Sequence, residues 1–179
     1  MGLGTSLSCD ISMNTRLSAD ERNKYQNSDL IRKILNGSHT IAIVGLSDKK
    51  ERASNFVGSY LKSERYTIIP VNPLKQEILG EKCYPDLASI PVPVDVVDIF
   101  RRPDECINIV KEAIAIKAKA VWMQLGIVNR DAAELAVKNG LFVVMDRCMK
   151  MEHGRYNGNL HWAGMNTEII TSKKVTRFI

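Results

Sequence analysis

The chain has 179 residues, 45% of them apolar and 25% charged, enough for one domain with a real core and too few for two. The apolar runs are far shorter than the roughly 20 residues needed to cross a bilayer, and no apolar segment follows a basic start as in a secretory leader, so a cytoplasmic address with no membrane partner is expected. The net charge of +5 is interleaved with acids, and no helix-turn-helix, zinc-finger or RNA-binding aromatic pattern accompanies it, which argues against a nucleic-acid partner.

Residues 1–27 are polar and lack a sustained apolar period, which predicts a flexible N-terminal tail; its first six residues fit the short N-myristoylation pattern. From Ser28 an apolar stripe of Leu30, Ile31, Ile34 and Leu35 ends at Asn36-Gly37, so a lead-in helix with Ser28 as cap is expected. Five apolar runs of strand length follow, at 40–44, 67–71, 94–100, 120–123 and 141–145. Helical periodicity fills 53–64, 103–117 and 129–139 between them. Strand alternating with helix implies a Rossmann-like doubly wound parallel α/β sheet of about five strands, with expected order 3-2-1-4-5. That order puts the ligand crevice between the C-terminal ends of the first and fourth strands.

The connection at 72–93 is irregular and suits a minor hairpin or a short turn of helix; 147–153 reads as a polar connection. The domain is drawn at 28–156, with 157–179 as a C-terminal extension of unassigned role. The four cysteines form no CxxC pair and read as reduced thiols. Cys148 follows the fifth run between Arg147 and Lys150, two cations that favour thiolate, and so becomes a candidate for a mixed disulfide with a thiol ligand. Histidines 39, 153 and 161 show no metal spacing and no partnered nucleophile, so neither a metal site nor a catalytic residue is expected.

The chemistry concentrates at the strand ends. The first strand runs through Gly45, Leu46 and Ser47 into a basic loop with Arg52, and a helix opens at Ser54: a turn of this kind offers free backbone N–H groups and a helix dipole to phosphate. It is not GxGxxG, because Ser47 and Lys50 stand where the second and third glycines belong. The second strand ends in Asn72, Pro73 and Lys75 where a dinucleotide site carries an acid for the ribose diol. Both marks of NAD are therefore missing together. Phe100 and Arg101 close the third strand, where an arginine can reach an anion and a ring can flank a planar group. Gln124 and Gly126 follow the fourth, an amide aimed at the crevice and a glycine that permits close backbone approach.

The stretches IAIVGLSDKKERASNFV, IIPVNPLKQEILGEKCYPDL, VDVVDIFRRPDE, AVWMQLGIVNRDAA and VVMDRCMKMEH, in this order, resemble the small CoA-binding protein family, single-domain relatives of the CoA-binding domain of the succinyl-CoA synthetase α-subunit. Leu46 departs from the alanine common in that family's first loop. The resemblance implies coenzyme A or an acyl-CoA as ligand. Gly45, Leu46, Ser47, Arg52 and Ser54 would serve the phosphates, Asn72, Pro73 and Lys75 the nucleotide end, Phe100 and Arg101 the next wall, and Gln124 and Gly126 the far side. It implies no ligase chemistry, because the chain lacks the second domain that carries the synthetase's phosphorylated histidine. An NAD(P)- or flavin-linked oxidoreductase on the same fold, and a scaffold without ligand, stay open as alternatives, as do an unidentified protein partner and a homo-oligomer.

Overall fold

The computed structural model describes residues 16–157. Five parallel strands form the sheet: β1 (Thr40–Val44), β2 (Thr67–Val71), β5 (Val96–Ile99), β6 (Ala120–Met123) and β7 (Phe142–Met145). A two-residue hairpin, β3 (Glu77–Ile78) with β4 (Glu81–Lys82), lies between β2 and β5. Its turn holds Leu79 and Gly80 at φ +57° and +73°, the left-handed pair that tight hairpins use.

Alternation along each strand splits the core into two layers. Ile41, Ile43, Ile68, Val96, Trp122 and Val144 face one way, under α2 (Ser28–Asn36), α3 (Ala53–Ser63) and α6 (Met149–Tyr156). Ala42, Ile69, Val97, Ile99, Val121 and Val143 face the other, under α4 (Cys106–Ala115) and α5 (Arg130–Lys138). Both faces of the sheet are thus covered, which explains why the strands read as nearly continuous apolar runs. No described helix is long and apolar enough to cross a membrane.

The strand order is β2-β1-β5-β6-β7, which in terms of the five expected runs is 2-1-3-4-5 and not 3-2-1-4-5. The 72–95 connection decides the difference. Its Leu87 and Val94 pack on the face opposite α3, and a right-handed return on that face carries the chain back past β2 to the free edge of β1. The outer edge of β2, where the expected order puts a strand, is taken by Tyr84: its N–H donates to Pro70 O at 2.9 Å and its carbonyl accepts from Asn72 N–H at 2.8 Å. The switch point therefore falls between β1 and β5.

Three other expectations change. The second half of the expected tail is ordered: α1 (Ala19–Tyr25) starts at a capping box of Ser18 and Glu21, and Leu17 and Tyr25 are buried against the α4/α5 layer. Gln26 donates to the carbonyls of Met145 and Asp146, so the segment covers the end of edge strand β7. The polar connection after β7 is short, because α6 opens at Met149 and buries Met149, Glu152 and His153. The N-cap of α2 is Asn27, not Ser28; its Oδ1 accepts from the N–H groups of Asp29 and Leu30. The myristoylation pattern, Cys9, His161 and 158–179 lie outside the described residues.

Candidate functional site

The first loop is built on Gly45. Its φ is +87°, and a β-carbon there would lie 2.6 Å from the Phe100 carbonyl oxygen and 2.8 Å from Arg101 Cδ, so only glycine lets the ends of β1 and β5 close to this distance. Leu46 then turns its side chain down into the core under α3, where it is fully buried; only its backbone belongs to the rim.

Three side chains tie the loop down. Ser54 Oγ accepts from Ser47 N–H at 3.1 Å, Asn55 Nδ2 donates to Ser47 O at 2.8 Å, and Asn72 Nδ2 donates to Leu46 O at 2.9 Å. The N–H of Ser47 is thereby used inside the protein. What remains for an anion is the start of α3, where the first N–H groups have no intrahelical acceptor, no acid sits in the first turn, and N-cap Arg52 makes no side-chain cap bond. Arg52 is exposed and its side chain has no ion-pair partner among the described residues.

Two other cations on the rim, Lys75 and Arg101, are engaged. Lys75 pairs with Asp48, bridging the loops after β1 and β2, and its ammonium holds the Asp48 carboxyl below the ordinary carboxylate range. Arg101 makes two contacts of 2.7 and 2.8 Å with Glu105, one turn along, and keeps that carboxyl low as well. Asn72 is satisfied at every polar atom: besides Leu46 O, its Oδ1 accepts from Leu74 N–H, its N–H meets Tyr84 O, and Cys83 Sγ donates to its carbonyl. Pro73 beside it is exposed.

Gln124 does not aim into the crevice. It is buried, its Nε2 donates to both carboxyl oxygens of Asp98 at 2.8 and 3.0 Å, and its Oε1 accepts from Met149 N–H at the start of α6. Gly126 does lie on the rim, with φ +83°, open space where a β-carbon would stand, and its N–H on Asp146 Oδ1 at 2.7 Å. The structure thus gathers Gly45, Ser47, Arg52, Asn72, Pro73, Lys75, Phe100, Arg101 and Gly126 around the C-terminal ends of the strands, and withdraws the side chains of Leu46 and Gln124.

Sequence reasoning missed Asp98. It is completely buried in β5, and desolvation pushes its carboxyl up to about 8, so it is a neutral acid at pH 7. The signal was available: one charged residue inside a strand that is otherwise apolar on both faces. Cys148 also differs from expectation. Burial raises its thiol above the ordinary range, and the nearby Asp98 adds to that, so the flanking cations do not make it a thiolate. His153 is a buried core histidine: its Nδ1 lies 3.0 Å from Tyr60 Oη, Tyr60 and Tyr66 pack edge-on against the ring, and burial lowers its pKa. Among the described residues no cluster of His, Cys, Asp and Glu could hold a metal.

These features define a doubly wound α/β protein whose first strand-to-helix turn, at the switch point, opens onto an uncapped helix N-terminus. The pattern of the CoA binding domain matches residues 39–154, and the chain belongs to that family. It is 39% identical over 123 residues to YneT of Bacillus subtilis, covering 69% of this chain and 91% of that protein. It is also 29% identical over 121 residues to an ADP-forming acetate–CoA ligase of Archaeoglobus fulgidus, spanning 62% of this chain but 18% of the ligase. Among solved structures, a protein from Pyrococcus horikoshii is 44% identical with a TM-score of 0.70, covering 72% of this chain and 90% of that one. One from Thermus thermophilus is 34% identical with a TM-score of 0.69, covering 72% and 98%.

Proposed function

We propose that the chain is a cytoplasmic binding module for coenzyme A or an acyl-CoA, held across the crevice between β1 and β5, without catalysis of its own. The observation that carries this reading is the first loop: Gly45 pressed under Phe100, with the open start of α3 and beside it Arg52, which has no ion-pair partner among the described residues, in a chain of the CoA binding domain family. The pyrophosphate meets the α3 N-terminus and Arg52, with Gly45, Ser47 and Ser54 shaping the turn. Pro73 and Lys75 lie toward the nucleotide end, Phe100 and Arg101 form the next wall, and Gly126 closes the far side. Asn72 acts by fixing the loop, since its amide is already spent on Leu46 O.

A nicotinamide cofactor suits the site less well. The position that should accept from a ribose diol is Asn72, whose amide is already engaged on Leu46 O and Leu74 N–H. The absence of catalysis is supported by the titratable groups below the rim: Asp98 and Cys148 are held protonated by burial, and His153 is locked between two tyrosines.

Calorimetry and thermal unfolding with CoA, acetyl-CoA and NAD test the reading. CoA at 100 times its dissociation constant should stabilise the fold by about 2.7 kcal/mol by mass action, while NAD gives no shift. Binding of NAD with no response to CoA or acetyl-CoA overturns it.

A further inference from the structure

The segment before α2 reaches the rim of the crevice from outside the matched domain, whose pattern begins at residue 39. Leu17 and Tyr25 anchor it in the α4/α5 layer, the same layer against which Ile127 and Val128 of the β6–α5 loop pack. That loop carries Gly126, the residue assigned above to the far side of the ligand.

The loop is held at both of its ends. Where it runs into α5, Arg130 donates to both carboxyl oxygens of Glu21 in α1, and its Nη2 also donates to Arg16 O at 2.9 Å. At the β6 end the hold passes through Asp146. Gly126 donates its N–H to Asp146 Oδ1 at 2.7 Å, and Asp146 keeps a φ of +58°, a conformation costly for a residue with a β-carbon. Gln26 Nε2 donates to Met145 O at 3.0 Å and to Asp146 O at 3.2 Å. These carbonyls belong to the two planar peptide units on either side of the Asp146 α-carbon, so one amide restrains both backbone torsions of that residue.

Only residues 127–129 lie between Gly126 and Arg130, so both holds bear on one short stretch of backbone. Burial of Leu17 and Tyr25 would be enough to cover the edge of the sheet; the polar contacts fall in addition on the two points that set where Gly126 stands. We propose that residues 16–26 form a strap that positions Gly126 and so tunes how tightly the crevice holds its ligand. Glu21 and Gln26 are its positioning residues, acting through Arg130 and Asp146. This rests on the CoA reading above and extends the site to a segment outside the family pattern.

The test uses the full chain with Glu21→Ala and with Gln26→Ala, each of which removes one hold and leaves every strand-end residue in place; circular dichroism checks that both variants keep the fold. Amide hydrogen exchange reads the hold without any ligand: the Gly126 N–H should exchange at least about fivefold faster in each variant. Calorimetry reads the consequence. CoA should bind at least about threefold more weakly to each variant, because the far wall is no longer preorganised, while 3′,5′-ADP, which lacks the arm that extends to the far side, binds as it does to the parent. Parent-like exchange at Gly126 in both variants overturns the strap. Faster exchange with CoA affinity unchanged overturns it too, since the segment then only covers the edge of β7. If the parent itself does not bind CoA, the underlying reading has failed and the tuning with it, an outcome on which the exchange rates do not depend.

Discussion

Gly45 and Phe100 stand so close at the ends of neighbouring strands that a β-carbon on the glycine would lie 2.6 Å from the phenylalanine carbonyl oxygen. Gly45 also donates its N–H to Val71 O at 2.9 Å, so one residue is hydrogen-bonded to the end of β2 and packed closely against the end of β5. Neither partner can retreat, since both contacts are backbone. Gly45→Ala should therefore cost about 2 kcal/mol or more in urea unfolding, from the left-handed conformation and the forced displacement together. CoA binding should fall with it. An alanine variant that matches the parent in both stability and affinity would show that the rim is softer than the geometry indicates.

Charge at the rim gives the second expectation. Arg52 is free to meet a phosphate, whereas Arg101 must first leave Glu105. Arg52→Glu should weaken CoA by about thirtyfold or more, the scale for turning a charge-assisted contact into repulsion, and Arg101→Glu should weaken it less. Dephospho-CoA locates each contact: a pyrophosphate contact weakens both ligands alike, while a contact to the ribose phosphate reduces the discrimination between them. Unchanged CoA binding in both variants, with the fold intact, would move the site elsewhere.

The third expectation concerns pH. The Asp98 carboxyl titrates near 8 when folded and near 4 when unfolded, so between these values the folded state holds the extra proton. Stability is fullest at the acid end of this window and falls as pH rises through it, by up to about 1.4 kcal/mol per pH unit from this group, levelling off above pH 8. Asp98→Asn removes the titration while keeping the size and an acceptor for Gln124 Nε2. Urea midpoints at pH 5.5 and 8.5 should differ more for the parent than for the variant. Equal pH slopes would mean that Asp98 is not a buried neutral acid.

The sequence by itself determined the alternation of strand and helix, the placing of the glycine turn after β1, and the family, because these depend on local periodicity and on residues close along the chain. Runs 40–44, 67–71 and 120–123 coincide with β1, β2 and β6, and the stretch from 53 contains α3. The tertiary structure decided the strand order, since that depends on which face of the sheet the helix-free 72–95 connection covers, and Leu87 and Tyr84 carry no mark of it in one dimension. It also decided which rim residues face outward. Leu46, Asn72 and Gln124 all sit at strand ends, where sequence position promises a ligand contact, yet burial or hydrogen bonds within the protein claim their side chains. The apolar run around Asp98 marks it in the sequence, but its raised pKa comes from the cover on both faces of β5, because desolvation belongs to the packed surroundings and not to the residue.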